Sequence, residues 1–193
     1  MAAHRPTPGR RDLLAVASLL LQYPDDAACG QRDAVTAAIS ELPDSKPAAQ
    51  LRRLAAWRRD TDPGELRRDY VVRFDTRRRT CLDVTFALYG DSRERGPALQ
   101  EFNSLYRAAG YAPADGELPD FLPLVLQFAA LAPAPAAARA LALARPGVAA
   151  AAAALAKQGS PYADGLAAVL GLIDDAADAD AADDTGDIEG GAE

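Results

Sequence analysis

Alanine occupies 45 of the 193 positions, and no other feature limits the fold so strongly. Its methyl group loses no rotamer entropy in a helix, and leucine stands close behind it on the helix scale. Leucine supplies 24 of the 50 apolar residues that remain. Eight Val and three Ile are too few β-branched side chains to cover the faces of a sandwich or barrel, which excludes an all-β fold. The expectation is an all-α, single-domain helical bundle, and a chain of this length has enough residues to bury a real core.

Charge is unevenly spread. Residues 174–193 hold nine acidic groups and no Lys or Arg, so the net charge of −7 belongs to the end of the chain, and the body is close to neutral. That end, with Ile188 as its only large apolar side chain, lacks the burial to offset its ordering entropy and reads as a disordered acidic tail. Residues 1–173 read as the helical domain, with 1–11 as a flexible leader. Arg10-Arg11 ahead of an apolar run imitates a twin-arginine export signal. Asp12 opens that run, however, and Leu13, Ala17, Leu20 and Leu21 fall on one helical face, as a first amphipathic helix requires. No apolar stretch reaches about 20 residues without a Pro or a charge, so direct membrane insertion is not expected.

Punctuation divides the body into helices joined by short turns. Breaks fall at Tyr23-Pro24-Asp25-Asp26, where an Asp caps a second helix running to about Leu42, and at Pro43 to Pro47. Asp62-Pro63-Gly64-Glu65 is a helix start that sets Leu66, Tyr70 and Phe74 together. Thr80 to Tyr89 reads as a buried helix stopped at Gly90, after which Asp91 or Ser92 starts a helix ended by Gly110. From Ala129 to Ala156, 17 of 28 residues are Ala, an Ala-rich hairpin broken at Pro133, Pro135 and Pro146-Gly147. A last helix spans Tyr162 to Ile173.

No catalytic constellation is present. Gly90-Asp91-Ser92-Arg93 has the look of an esterase serine block, but the only histidine is His4, in a Pro-rich leader, and a serine without a base is inert. Asp83, Asp91 and Asp120 read as isolated solvated or capping carboxylates. Cys29 and Cys81 make no zinc motif and read as small apolar helix residues in a reducing compartment, although a disulfide between them is conceivable. No metal and no cofactor is expected. Nineteen of 21 basic residues are Arg and Arg77-Arg78-Arg79 is a cluster, yet residues 60–107 carry nine bases and nine acids. That balance argues against nucleic acid, which needs an excess of positive charge on one face. The run Phe121 to Leu131, polar only at Gln127, has two readings. It is either a central core helix, which composition alone favours, or part of a groove for an amphipathic helix.

One ordered set of motifs carries a resemblance. It comprises Tyr70-Val71-Val72-Arg73-Phe74-Asp75, Arg78-Arg79 with Leu82 and Thr85, Gly90-Asp91-Ser92-Arg93-Glu94-Arg95-Gly96, Tyr106-Arg107-Ala108-Ala109-Gly110, and Glu117-Leu118-Pro119-Asp120 with Leu122-Pro123 and Phe128. In this order and spacing the chain resembles the NarJ family, the delta subunit or molybdenum-cofactor assembly chaperone of respiratory nitrate reductase. Leu19 to Asp25 is similar to that family's first helix and turn. The resemblance implies an all-helical NarJ/TorD-like redox-enzyme chaperone that is cytoplasmic and has no activity of its own. It also implies a partner, the apo catalytic alpha subunit of nitrate reductase, engaged by its N-terminal segment and kept competent for molybdenum cofactor insertion before membrane docking.

On that basis Phe74, Leu82, Phe86, Leu122, Val125, Leu126 and Phe128 are expected to line or underlie a client groove, with core packing the competing role for each. Asp75, Arg78, Asp91, Arg93 and Arg95 are expected to form a charged network or rim. Rival functions are assembly of another molybdoenzyme of the same superfamily and arginine-dependent nucleic-acid binding. Oligomeric state is left open.

Overall fold

The computed structural model describes residues 8–114 and 116–184. Among these residues the chain forms helices and no strand. They are α1 (Pro8–Leu20), α2 (Asp26–Gly30), α3 (Arg32–Ser40), α4 (Lys46–Asp60), α5 (Pro63–Tyr70), α6 (Val84–Tyr89), α7 (Arg95–Ala108), α8 (Leu122–Leu131), α9 (Ala134–Lys157) and α10 (Tyr162–Asp184). A π-helical turn (Val71–Asp75) follows α5, and a 3-10 turn covers Arg78–Thr80.

The starts follow the cap chemistry in the sequence. The side chains of Asp25, Ser45 and Asp62 accept from backbone N–H groups of the first turns of α2, α4 and α5, each satisfying an otherwise orphaned donor. At the core, α8 lies against α1 and α9, and α10 packs on α9 and α4. One continuous apolar cluster runs from Leu13 to Ile173.

Five expectations change. First, α1 begins at Pro8, inside the expected leader, because Arg10 Nε donates to Leu172 O (3.1 Å) within α10 and Arg11 donates to Ala132 O (3.0 Å) at the end of α8, fixing the helix onto its neighbours. Residues 1–7 lie outside the described residues. Second, the helix expected up to Leu42 is split into α2 and α3 at Gly30-Gln31.

Third, the helix expected from Thr80 begins only at Val84. Cys81 to Asp83 are extended, and Leu122 N–H donates to Leu82 O (2.8 Å) while Val84 N–H donates to Asp120 O (3.1 Å). This antiparallel pairing satisfies backbone groups that a helix would have paired internally. Cys29 and Cys81 are both free and half-buried, and Cys81 is not helical.

Fourth, α9 passes through Pro146 unbroken. Proline in a helix costs about 3 kcal/mol, whereas each fully buried Val or Leu returns about 1.5–3 kcal/mol, and Val148 and Leu155 lie beyond the proline, fully buried. By length and composition α9 is long and apolar enough to cross a membrane, but one face of it is buried in the bundle. Fifth, α10 continues to Asp184 rather than ending at Ile173, and residues 185–193 of the expected tail lie outside the described residues.

Candidate functional site

Seven residues were expected at a groove, and the structure puts six of them in the interior. Phe74, Leu82, Leu122, Val125, Leu126 and Phe128 are all buried, the last at the edge of the cluster. Phe86 is half-buried beneath the Arg95 guanidinium, 4.9 Å from its ring centre. The inner face of α8 therefore packs the core against α1 and α9, as the core reading of the run Phe121 to Leu131 requires.

The expected charged set is not one network. Arg95 donates to Thr85 Oγ1 (3.3 Å) and stands 4.0 Å from Asp83. Arg78 donates to Leu88 O (3.2 Å). Asp75, Asp91 and Arg93 are exposed, and none makes an ion pair among the described residues. Asp91 caps nothing: α7 starts four residues later, at Arg95, without a side-chain cap. Partial burial raises the Asp75 carboxyl above its ordinary value.

Sequence reasoning missed the environment of Asp120. It is fully buried, and its Oδ2 accepts from Thr85 N–H (2.9 Å) and Thr85 Oγ1 (2.6 Å), so it caps α6 from 35 residues away. Nothing local marks that pairing, because its partner comes from another part of the chain.

The outer face of α8 is different. Leu124, Gln127, Phe128 and Leu131 follow each other at intervals of three, one and three, and with Tyr106, Tyr111 and Pro113 they enclose a mostly apolar cavity of about 210 Å3. Gly110 builds one wall. It takes φ +81°, Tyr111 N–H reaches back to Tyr106 O (2.9 Å), and the helix stops with Tyr111 turned across Phe128, ring centres 5.4 Å apart and edge-on. Tyr106 is fixed from below, its hydroxyl donating to Pro119 O (2.7 Å). Leu131 is 59% exposed and Tyr111 40%. Gln127, the one polar residue of the run, faces outward here and was the signal in the sequence that could have located this face.

Small-molecule pockets usually span ~300–1,000 Å3, so a cavity of this size suits one or two apolar side chains rather than a whole ligand. The exposed Leu and Tyr at its mouth suit a helix laid across it.

A family model described as nitrate reductase delta subunit matches residues 41–168. The chain belongs to this family. A probable nitrate reductase molybdenum cofactor assembly chaperone NarJ of Bacillus subtilis (strain 168) is 31% identical over 168 residues, 87% of this chain and 91% of that protein. The NarJ chaperone of Escherichia coli (strain K12) is 32% identical over 123 residues, 62% of this chain and 52% of its own. A nitrate reductase-like protein NarX of Mycobacterium tuberculosis (strain H37Rv) is 39% identical over 153 residues, 79% of this chain, which spans only 23% of that protein's length. The delta subunit match includes α7, α8 and the loop between them, and therefore the whole outer cavity.

Proposed function

We propose that this chain is an assembly chaperone for a nitrate reductase. It binds the apo catalytic alpha subunit by its N-terminal segment and holds it for molybdenum cofactor insertion, in the cytoplasm and before membrane docking, without catalysis of its own. The names of the B. subtilis and E. coli relatives support the chaperone role. The observation that carries the client site is the apolar cavity on the outer face of α8, lined by the exposed Tyr111 and Leu131, whose positions are tied by Tyr111 Oη donating to Leu131 O (3.4 Å). The core residues Leu122, Val125 and Leu126 act beneath it, holding the helix whose other side receives the guest.

The test is a calorimetric titration with a synthetic peptide from the start of the nitrate reductase alpha subunit. Saturation in the micromolar range, roughly −8 kcal/mol, is expected for the unaltered chain. Leu131→Asp introduces a charge at an exposed position, so it leaves the melting temperature in place and weakens binding by about tenfold or more. Peptide binding that is indifferent to Leu131→Asp and to Tyr111→Ala rejects this face as the client site. Tighter binding of the corresponding peptide from another molybdoenzyme reassigns the client.

A further inference from the structure

Most arginines of this chain have a partner. Among the described residues eight face carboxylates, and Arg11, Arg32 and Arg58 donate to backbone carbonyls. Arg68, Arg77, Arg78, Arg79, Arg93 and Arg107 are exposed and make no ion pair among the described residues, and of these Arg77, Arg78 and Arg79 stand together. They lie together on one side of an open cavity of about 440 Å3, completed by Thr80, Gln158 and the small side chains of Ala87 and Ala154. No acidic residue lines it.

The lining is organised for donation. Gln158 Oε1 already accepts from Arg73 (2.9 Å), which leaves its amide N–H groups as the free part of that side chain. The Thr80 hydroxyl is taken up by the carbonyl of Arg73. Arg78 is set before any ligand arrives. Its head donates to Leu88 O and lies against the bare backbone of Gly90, where a Cβ would come within 2.9 Å of the guanidinium carbon. A guanidinium held in place loses less entropy when an anion binds, and its planar fork matches phosphate oxygens two at a time.

We propose that Arg77, Arg78 and Arg79, with Gln158, form a pocket for a ligand carrying two adjacent phosphate groups. Three uncompensated positive charges match the roughly −3 that such a pair of phosphates brings. The cavity lies within the ~300–1,000 Å3 range of small-ligand sites and is larger than a lone orthophosphate requires. A nucleic-acid backbone is a poorer fit, since it needs a stripe of positive charge, whereas this is one compact pocket in a segment, residues 60–107, whose nine bases, these three included, are balanced by nine acids. The pocket and the outer face of α8 share no residue, so this inference and the client site stand or fall separately.

The test uses the full chain at low ionic strength, titrated calorimetrically with sodium pyrophosphate, orthophosphate and an oligoglutamate peptide in parallel. Expected are saturable pyrophosphate binding about tenfold tighter than orthophosphate, weakening with added salt, and a loss of about tenfold or more in the double variant Arg77→Ala/Arg79→Ala. Both positions are exposed, so that variant keeps its ligand-free melting temperature. Arg78→Lys, which keeps the charge and removes the fork, weakens pyrophosphate more than orthophosphate. No saturable pyrophosphate binding in the millimolar range overturns the proposal, as does equal affinity in the double variant. Preference for oligoglutamate over pyrophosphate also overturns it and marks the pocket as a protein-docking site.

Discussion

Arg58 is the side chain on which the end of α1 depends. It is 3% exposed, and one of its nitrogens donates to Leu20 O (2.9 Å) and Tyr162 Oη (3.2 Å), with Gln22 O at 3.4 Å. Tyr70 completes the arrangement by donating to Leu21 O (3.1 Å). Carbonyls at a helix end have no intrahelical donor, so here they are satisfied from α4 and α5. Arg58→Met keeps the bulk and removes the donors, and a loss of about 3 kcal/mol in urea unfolding is expected, in the range for buried polar groups stripped of charged partners. The sequence showed Arg58 only as one of several arginines on α4, because periodicity distinguishes faces and not the depth to which each is covered. Asp83 tests the opposite sign. Burial first, and then the neighbouring Asp120, raise its carboxyl above the ordinary 3.8, with Arg95 opposing them. A carboxyl raised on folding favours the native state while protonated. That contribution is present below the ordinary aspartate range and is lost as pH rises through the raised value. Asp83→Asn should therefore raise the melting temperature at neutral pH, with the gain vanishing at acid pH where the native carboxyl is already neutral. A lower melting temperature for the variant at neutral pH would show that the Arg95 pair outweighs burial.

At the scale of elements, close approach decides what periodicity does not. Gly147 lies on α9 where α6 crosses, and a Cβ there would meet Val84 O at 2.5 Å. Gly165 on α10 would meet the end of the Leu54 side chain at 2.6 Å. Helix propensity gains at most about 1 kcal/mol from Gly→Ala, while overpacking a rigid contact costs about 1–3 kcal/mol. Since a backbone carbonyl has little room to yield and a methyl can turn, Gly147→Ala is expected to destabilise by about 1–2 kcal/mol, and Gly165→Ala by clearly less; thermal melts of the two single variants decide. The elements that could be read in advance are those whose signals are local: Asp25 and Asp62 at the starts of α2 and α5, Pro123 in the first turn of α8, Gly110 after α7. Two of those misread depended on distant partners. Cys81 to Asp83 are extended because Asp120 to Leu122 pair with them, and α9 continues through Pro146 because the face beyond it is buried. The same distinction explains the site. That α8 is apolar nearly all round was plain in the sequence, but which side meets α1 and α9 was not, so Leu122, Val125 and Leu126 were expected to line or underlie a groove or to pack the core, and the structure buries all three.

For the molecule as a whole, the distribution of apolar contacts makes a claim about cooperativity. The buried cluster takes in residues of α1, α4, α8, α9 and α10 without interruption, and its aromatic centre joins distant parts of the chain. Trp57 of α4 meets Tyr162 of α10 at 5.2 Å, Phe74 meets Tyr162 at 4.8 Å, and Tyr70 lies beside Phe74 at 4.7 Å. No helix in that group can leave without exposing the side chains of two others, which is the condition for a single transition. Trp57 is the only tryptophan, so its fluorescence reports on the α4–α10 contact alone, while far-ultraviolet circular dichroism reports on all the helices together. The two signals should follow one thermal curve with the same midpoint, and the Arg58→Met variant should shift both by the same amount. A tryptophan transition well below the loss of helix would mean that α4 and α10 separate while α8 and α9 stay folded. In that case the bundle is two units, and the floor of the α8 cavity would persist after the aromatic centre had opened.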